Sequence, residues 1–197
     1  DAIVSFMLQM TSKDAIPSDT DFKQALKERN LYRKNALCKY LLAAIENQGK
    51  EKIVIDNLTI EHIMPQNKNL STAWQKMLGD DWEATRDRYL HTLGNLTLTG
   101  YNSELGDRPF REKQELLEDT VTHITVLYSD VKDKTEWNVS TIEARAERLS
   151  DLVLRLFPIE KPASKIEFKD PRYSTYTVAD PRNATYKQVN YYELLGE

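Results

Sequence analysis

Apolar and polar positions along the chain fall into a few clear periods. After a helix-starting cluster from Ser18 to Asp21, the residues Phe22, Ala25, Leu26, Leu37, Tyr40, Leu41 and Ala44 recur at helical spacing. This predicts one long amphipathic helix reaching Gly49, kinked near Asn30. Lys52-Ile53-Val54-Ile55 and Leu58-Thr59-Ile60 then switch to a strand pattern, and Pro65, which cannot donate to a ladder, closes that strand near Met64. Trp74, Met77, Leu78, Trp82, Thr85 and Tyr89 form a second helical stripe between Ser71 and Leu90, broken at Gly79-Asp80. Leu93 to Thr99 alternates Leu with Asn and Thr, stops at Gly100, and reads as another short strand. The two strands can pair as an antiparallel hairpin around the helical insertion.

Beyond Asn102 the chain turns through Gly106 and Pro109 into a helix that carries Phe110, Lys113 and Leu117. Val121 to Tyr128 is β-branched and ambiguous, whereas Ile142, Leu149, Val153 and Leu156 mark a closing helix up to Pro158. From Lys161 onward, prolines at 162, 171 and 181 and many Tyr and Thr residues replace the helical pattern. So short a segment cannot build a core of its own and reads as a β-rich appendage. At the other end Ala2 to Leu8 is neither a signal peptide nor a polar leader, and the expectation is a helix continuing from a preceding domain.

Composition narrows the functional classes. In 197 residues, 40% are hydrophobic and 29% charged, so the chain is globular rather than fibrous or disordered. No apolar run reaches the roughly 18 residues a membrane span needs. The single cysteine, Cys38, forbids an internal disulfide and a zinc site of the CxxC type, and suits a reducing, cytoplasmic setting. His62, His91 and His123 are then nearly the whole stock of proton-transfer groups at neutral pH. A net charge of -4 argues at first against nucleic-acid binding through bulk charge. That total sums unlike regions: from Asp21 to Lys39 six basic residues face two acidic ones. These six are Lys23, Lys27, Arg29, Arg33, Lys34 and Lys39, either a solvated face or a phosphate-contact surface.

Candidate chemistry gathers at three places: Glu61-His62 next to Pro65-Gln66, Asn95 in LGNLTLT, and Asn102 in YNSEL. A carboxylate, an imidazole and two carboxamides near the ends of adjoining strands offer a base and hard oxygen donors, which suit Mg²⁺ or Mn²⁺ rather than zinc. On a regular strand Glu61 and His62 point to opposite faces, so they serve one site only if the strand is bulged or ends there.

The ordered motifs EHIMPQ, HTLGNLTLT and YNSELGDRPFREK, with TIEARAERLSDLVLRLFP after them, resemble the HNH-type nuclease domain at the C-terminus of GmrSD-like, modification-dependent restriction proteins. The likeness runs from Asp1 to Pro158. It implies an α+β, mainly helical fold in which a ββα-metal core, a short hairpin plus a helix, is embedded in a helical domain. On that reading residues 1–50 are the N-terminal helical part and 51–120 the core with its insertion. Residues 121–158 are the closing helices, and 159–197 are a β-rich tail or the start of a further domain. His62 matches the general base and Asn95 the middle Asn that braces the loop and the base. Glu61 and Asn102 match the ligands of a single divalent cation. Lys113, in the F-x-x-K spacing, together with His91, Arg108 and Arg111, are candidates for DNA contact. Glu61 departs from the commoner Asp, and with no zinc-binding cysteines the helices must brace the hairpin.

The resemblance implies a metal-dependent DNA endonuclease or nickase acting in defence against foreign DNA, with Mg²⁺ or Mn²⁺ as cofactor and no structural zinc. Its partners would be DNA and an N-terminal nucleotide-hydrolysing, modification-sensing domain of the same protein, and no membrane. Nothing in this chain resembles a phosphate-cradling Gly-rich loop. A nuclease-like but inactive nucleic-acid-binding or interaction module, and an RNA-directed toxin, are the competing readings.

Overall fold

The computed structural model describes residues 16–48, 54, 57–100, 102–118 and 126–158, with the backbone alone at Asn102. The expected N-terminal helix, most of the 52–55 strand segment, residues 121–125 of the ambiguous stretch and the tail beyond Pro158 lie outside the described residues.

The expected long helix is two helices, α1 (Asp19–Glu28) and α2 (Asn35–Glu46), joined by a 3-10 turn at Tyr32–Lys34. Ser18 caps α1 by accepting from the Asp21 N–H. The break falls at Asn30, whose Oδ1 accepts from the Arg33 N–H at 3.0 Å. A side chain that satisfies backbone donors locally competes with helix continuation, so the expected kink becomes a full stop.

Strand β1 (Thr59–His62) and strand β2 (Leu96–Thr99) form the antiparallel hairpin, in the register Thr59↔Thr99, Ile60↔Leu98, Glu61↔Thr97 and His62↔Leu96. The first strand ends two residues before Met64, and Leu93–Asn95, expected as strand, is instead a 3-10 turn. Gly94 explains the turn, because a Cβ there would collide with the carbonyl oxygen of Ile142 in the last helix. Between the strands lie α3 (Thr72–Leu78) and α4 (Trp82–Tyr89), separated where Gly79 adopts φ 93°. After them come α5 (Asn102–Leu105), α6 (Phe110–Glu118) and α7 (Val139–Leu156).

All four residues of β2 are buried, so the hairpin is covered on both faces. One apolar cluster joins Leu26, Leu42, Ile45, Ile60, Leu96, Leu98, Leu149 and Val153, packing α1, α2 and α7 against it. The other joins Ile63, Met64, Trp74, Leu105, Phe110, Trp137 and Ile142 around the loop that leaves β1. A two-stranded ribbon is marginal by itself, and these helices supply the burial it lacks. They also tie down part of the basic face of α1. Lys27 Nζ lies 2.7 Å from Glu147 and Lys23 Nζ 2.6 Å from Asp151, both acids on α7. Arg33 and Lys34, at the turn between α1 and α2, are exposed.

Candidate functional site

β1 ends at His62 and the chain bends at Ile63 and Met64, so the strand stops where the two candidate residues sit. The bend is held from the other side of the hairpin. Asn95 Oδ1 accepts from the Met64 N–H at 2.7 Å and from Trp137 Nε1 at 3.0 Å, while its Nδ2 donates to the Met64 carbonyl at 3.1 Å and to the Leu90 carbonyl at 2.9 Å. Both acceptor sites and both donors of the carboxamide are used. Asn95 therefore stitches the β1 exit to the end of the α4 segment and to Trp137, with no polar atom of its side chain left over.

The turn that carries Asn95 is clamped by Arg145 of α7. Its Nη1 donates to the carbonyls of Leu93 at 3.2 Å, Gly94 at 2.9 Å and Leu96 at 2.9 Å, and its Nη2 to that of Leu127 at 3.3 Å. Complete burial pulls the guanidinium down to about 10, opposed by the Asp130 carboxylate 3.6 Å away. Arg86 of α4 does the same for the loop after β1, donating to the carbonyls of Gln66 and, at 2.9 Å, Asn67.

Glu61 and His62 send their side chains to different partners. Lys113 Nζ of α6 lies 2.7 Å from Glu61 Oε1 and also donates to the His62 carbonyl at 2.8 Å. Both members of this pair are buried, with side-chain exposures of 1% for Lys113 and 6% for Glu61. Burial pushes the Glu61 carboxyl up and the Lys113 ammonium down, and their mutual attraction offsets only part of each shift. Asp107, hydrogen-bonded by Asn67 Nδ2 at 2.7 Å, is near enough to raise both.

The His62 imidazole instead meets two other rings. Its Nε2 is 3.0 Å from His91 Nδ1, and the Tyr32 ring stands edge-on to it with centroids 4.7 Å apart. Tyr32 also stacks on His91, at 5.4 Å and an interplanar angle of 6°. His62 Nδ1 is buried and has no hydrogen-bond partner among the described residues. Burial, and then His91, Lys113 and Arg86, lower its pKa from an ordinary 6.5 to about 3, so the ring is neutral at physiological pH. Burial thus removes the near-neutral titration that a free imidazole has. His91 is lowered as well, by burial and by Arg86.

The remaining sequence candidates separate. The short helix α5 packs against β1, but the side chain of Asn102 lies outside the described residues. Arg108 is half exposed and already donates to the Glu104 carbonyl at 2.7 Å and to Glu112 at 2.9 Å. Arg111 is 76% exposed, with Glu115 at 3.8 Å. Lys113 is not at the surface that a standing phosphate contact would need.

The Glu61 carboxylate is neutralised by the Lys113 ammonium, and Asp107 is a second carboxylate nearby. Among the described residues no group of three His, Cys, Asp or Glu side chains gathers around one point.

Sequence reasoning passed over Tyr32, Trp137 and Arg145. Arg145 did leave a signal: it follows Ile142 by three residues and precedes Leu149 by four, which places a charge on the buried stripe of its helix. Tyr32 sits in the 3-10 turn and Trp137 in the loop just before α7, where no period marks them.

Residues 16–152 match the family model of the C-terminal domain of GmrSD restriction endonucleases, and the chain belongs to that family. Its function is therefore related to restriction endonucleases. No curated protein matches the chain. Among the described residues no helix is long and apolar enough to cross a membrane.

Proposed function

We propose that this chain is the HNH-type nuclease domain of a larger restriction protein and hydrolyses DNA phosphodiester bonds. The observation that carries the reading is the neutral His62 imidazole, one nitrogen held by His91 and the other without a partner among the described residues, at the strand end where the family match places a nuclease domain. A buried polar atom without a protein partner is where an ordered water belongs. A water hydrogen-bonded to that nitrogen is in place to lose its proton to it, and the negative charge of a bound phosphodiester would raise the imidazole from the low value that burial sets.

Glu61 and Asn102 would hold Mg²⁺ or Mn²⁺. The ion supplies stabilisation of the charge that develops on the phosphate and leaving oxygen. The side chains of Glu61 and His62 diverge at the end of β1, so ion and base would meet only through a phosphodiester that reaches both. Asn95 and Arg145 hold the frame between them. Exposed Arg111, Arg108, Arg33 and Lys34 are the candidates for backbone contact with DNA. His91 serves His62 here rather than the substrate. The rest of the reading is defence against foreign or modified DNA in the cytoplasm, in concert with a nucleotide-hydrolysing, modification-sensing domain.

The Lys113 ammonium on Glu61 favours a second reading, an inactive DNA-binding module in which the lysine replaces the metal. Supercoiled plasmid and a matched RNA, incubated with the chain and Mg²⁺, Mn²⁺ or chelator, separate the readings. The nuclease reading expects metal-dependent plasmid nicking that Glu61→Ala removes, whereas plasmid binding without nicking supports the inactive module. RNA cleavage alone points to the toxin.

A further inference from the structure

The turn between α1 and α2 reaches the candidate base from 30 residues upstream. It is fastened to the His91 segment twice. The Leu31 N–H donates to the His91 carbonyl at 3.0 Å, and the Tyr32 ring lies flat on the His91 ring. The same tyrosine ring stands at 73° to His62, and His91 stands at 76° to it, so the two rings box the His62 imidazole. A ring held against two neighbours cannot turn about its χ2 without breaking both contacts.

We infer that Tyr32 and His91 are positioning residues that fix the rotamer and tautomer of His62, leaving Nδ1 as the nitrogen that faces the reacting water. His91 Nδ1 approaches His62 Nε2 at hydrogen-bond distance, so one of the two nitrogens carries the proton. If His62 Nε2 is the donor, its Nδ1 presents a lone pair. In the opposite assignment His62 Nδ1 already carries a proton and has no lone pair with which to take one from a water. Stacking by Tyr32 keeps His91 Nδ1 aimed at His62, as the third group of a catalytic triad orients its base. Tyr32 and His91 would act through His62 alone.

This inference rests on the nuclease reading of His62, and the test separates the two. In the full 197-residue chain, long-range ¹H–¹⁵N correlation spectra report the tautomer without any reaction. They are expected to show His62 as the Nε2–H form, and a dominant Nδ1–H form would overturn the inference. Plasmid nicking with Mn²⁺ supplies the second readout. His91→Phe keeps a ring against Tyr32 but removes the acceptor, and Tyr32→Leu removes the stack. Each is expected to lower kcat by about 10²-fold, the cost of misplacing a catalytic group by an ångström, with KM within about twofold. Tyr32→Phe, which keeps the ring, should restore most of the rate. Should Tyr32→Leu fail to fold, His91→Phe and the Tyr32→Phe spectra still decide. If His62→Ala is inactive while His91→Phe and Tyr32→Leu match the wild type, the positioning role is wrong and the nuclease reading stands. If His62→Ala is as active as the wild type, the nuclease reading itself fails.

Discussion

The Lys113 ammonium sits 2.7 Å from the Glu61 carboxylate and 2.8 Å from the His62 carbonyl, so one side chain of α6 pins both neighbouring residues at the end of β1. Because this pair is buried, its members depend on each other. Lys113→Met is expected to cost about 3–5 kcal/mol in urea unfolding at pH 7, since it leaves an uncompensated carboxylate inside. The double variant Glu61→Gln with Lys113→Met should lose less than Lys113→Met alone. Equal losses would show that Glu61 is not ionised in the folded protein.

Asn95 should be irreplaceable by either neighbour in chemistry. Its carboxamide accepts two hydrogen bonds and donates two, all to groups that are otherwise buried. Asn95→Asp keeps the acceptors but turns the Nδ2 donors to Met64 and Leu90 into oxygens facing carbonyls, while Asn95→Ala abandons all four partners. Each should destabilise by about 2–4 kcal/mol, from buried groups left unpaired at roughly 1–3 kcal/mol apiece. Thermal unfolding measures it, and a change within error would show that the loop after β1 is held by other means.

Gly94→Ala places a methyl against both the backbone oxygen and the Cγ2 of Ile142 on α7, and the backbone oxygen cannot move aside as a side chain could. We expect a loss of about 1–3 kcal/mol, the usual range for overpacking. Since Arg145 binds the Leu93, Gly94 and Leu96 carbonyls from the same helix, the variant should also loosen amide protection at residues 93–96 in hydrogen exchange. Unchanged protection would place the clamp elsewhere.

The pH dependence follows from His62. Its folded pKa is depressed, chiefly by burial, to about 3, against 6.5 for the free side chain. Between those values the unfolded chain binds a proton that the folded chain does not. The stabilising contribution is therefore complete above about pH 6.5 and is lost as pH falls toward 3. His62→Gln removes this titration, so the advantage of the wild type over the variant in urea midpoint should shrink from pH 7 to pH 4. Parallel declines in the two proteins would mean that His62 is protonated in the folded state.

Much of the frame was legible from pattern alone. Leu58 to Ile60 and Leu96 to Thr99 gave away the hairpin, Gly79 the break between α3 and α4, and the Ile142 to Leu156 stripe the closing helix. The departures have local causes. Asn30 ends α1 through a side-chain hydrogen bond that no hydrophobic period records. The residues Leu93 to Asn95 continue an alternating pattern yet form a turn, because Gly94 must approach Ile142. At the site, motif order drew attention to Glu61, His62, Asn95 and Lys113, but pairing between distant segments was invisible. Lys113 with Glu61, and His62 with His91 and Tyr32, are contacts that only the tertiary fold creates.

The central claim is that the His62 imidazole takes the proton from water in phosphodiester hydrolysis. The most direct measurement compares initial rates of supercoiled-plasmid nicking by the wild type and His62→Ala, in Mn²⁺, at matched folded concentration. A loss of about 10²- to 10⁴-fold is expected, the contribution of a positioned general base. Equal rates in the two proteins would contradict it.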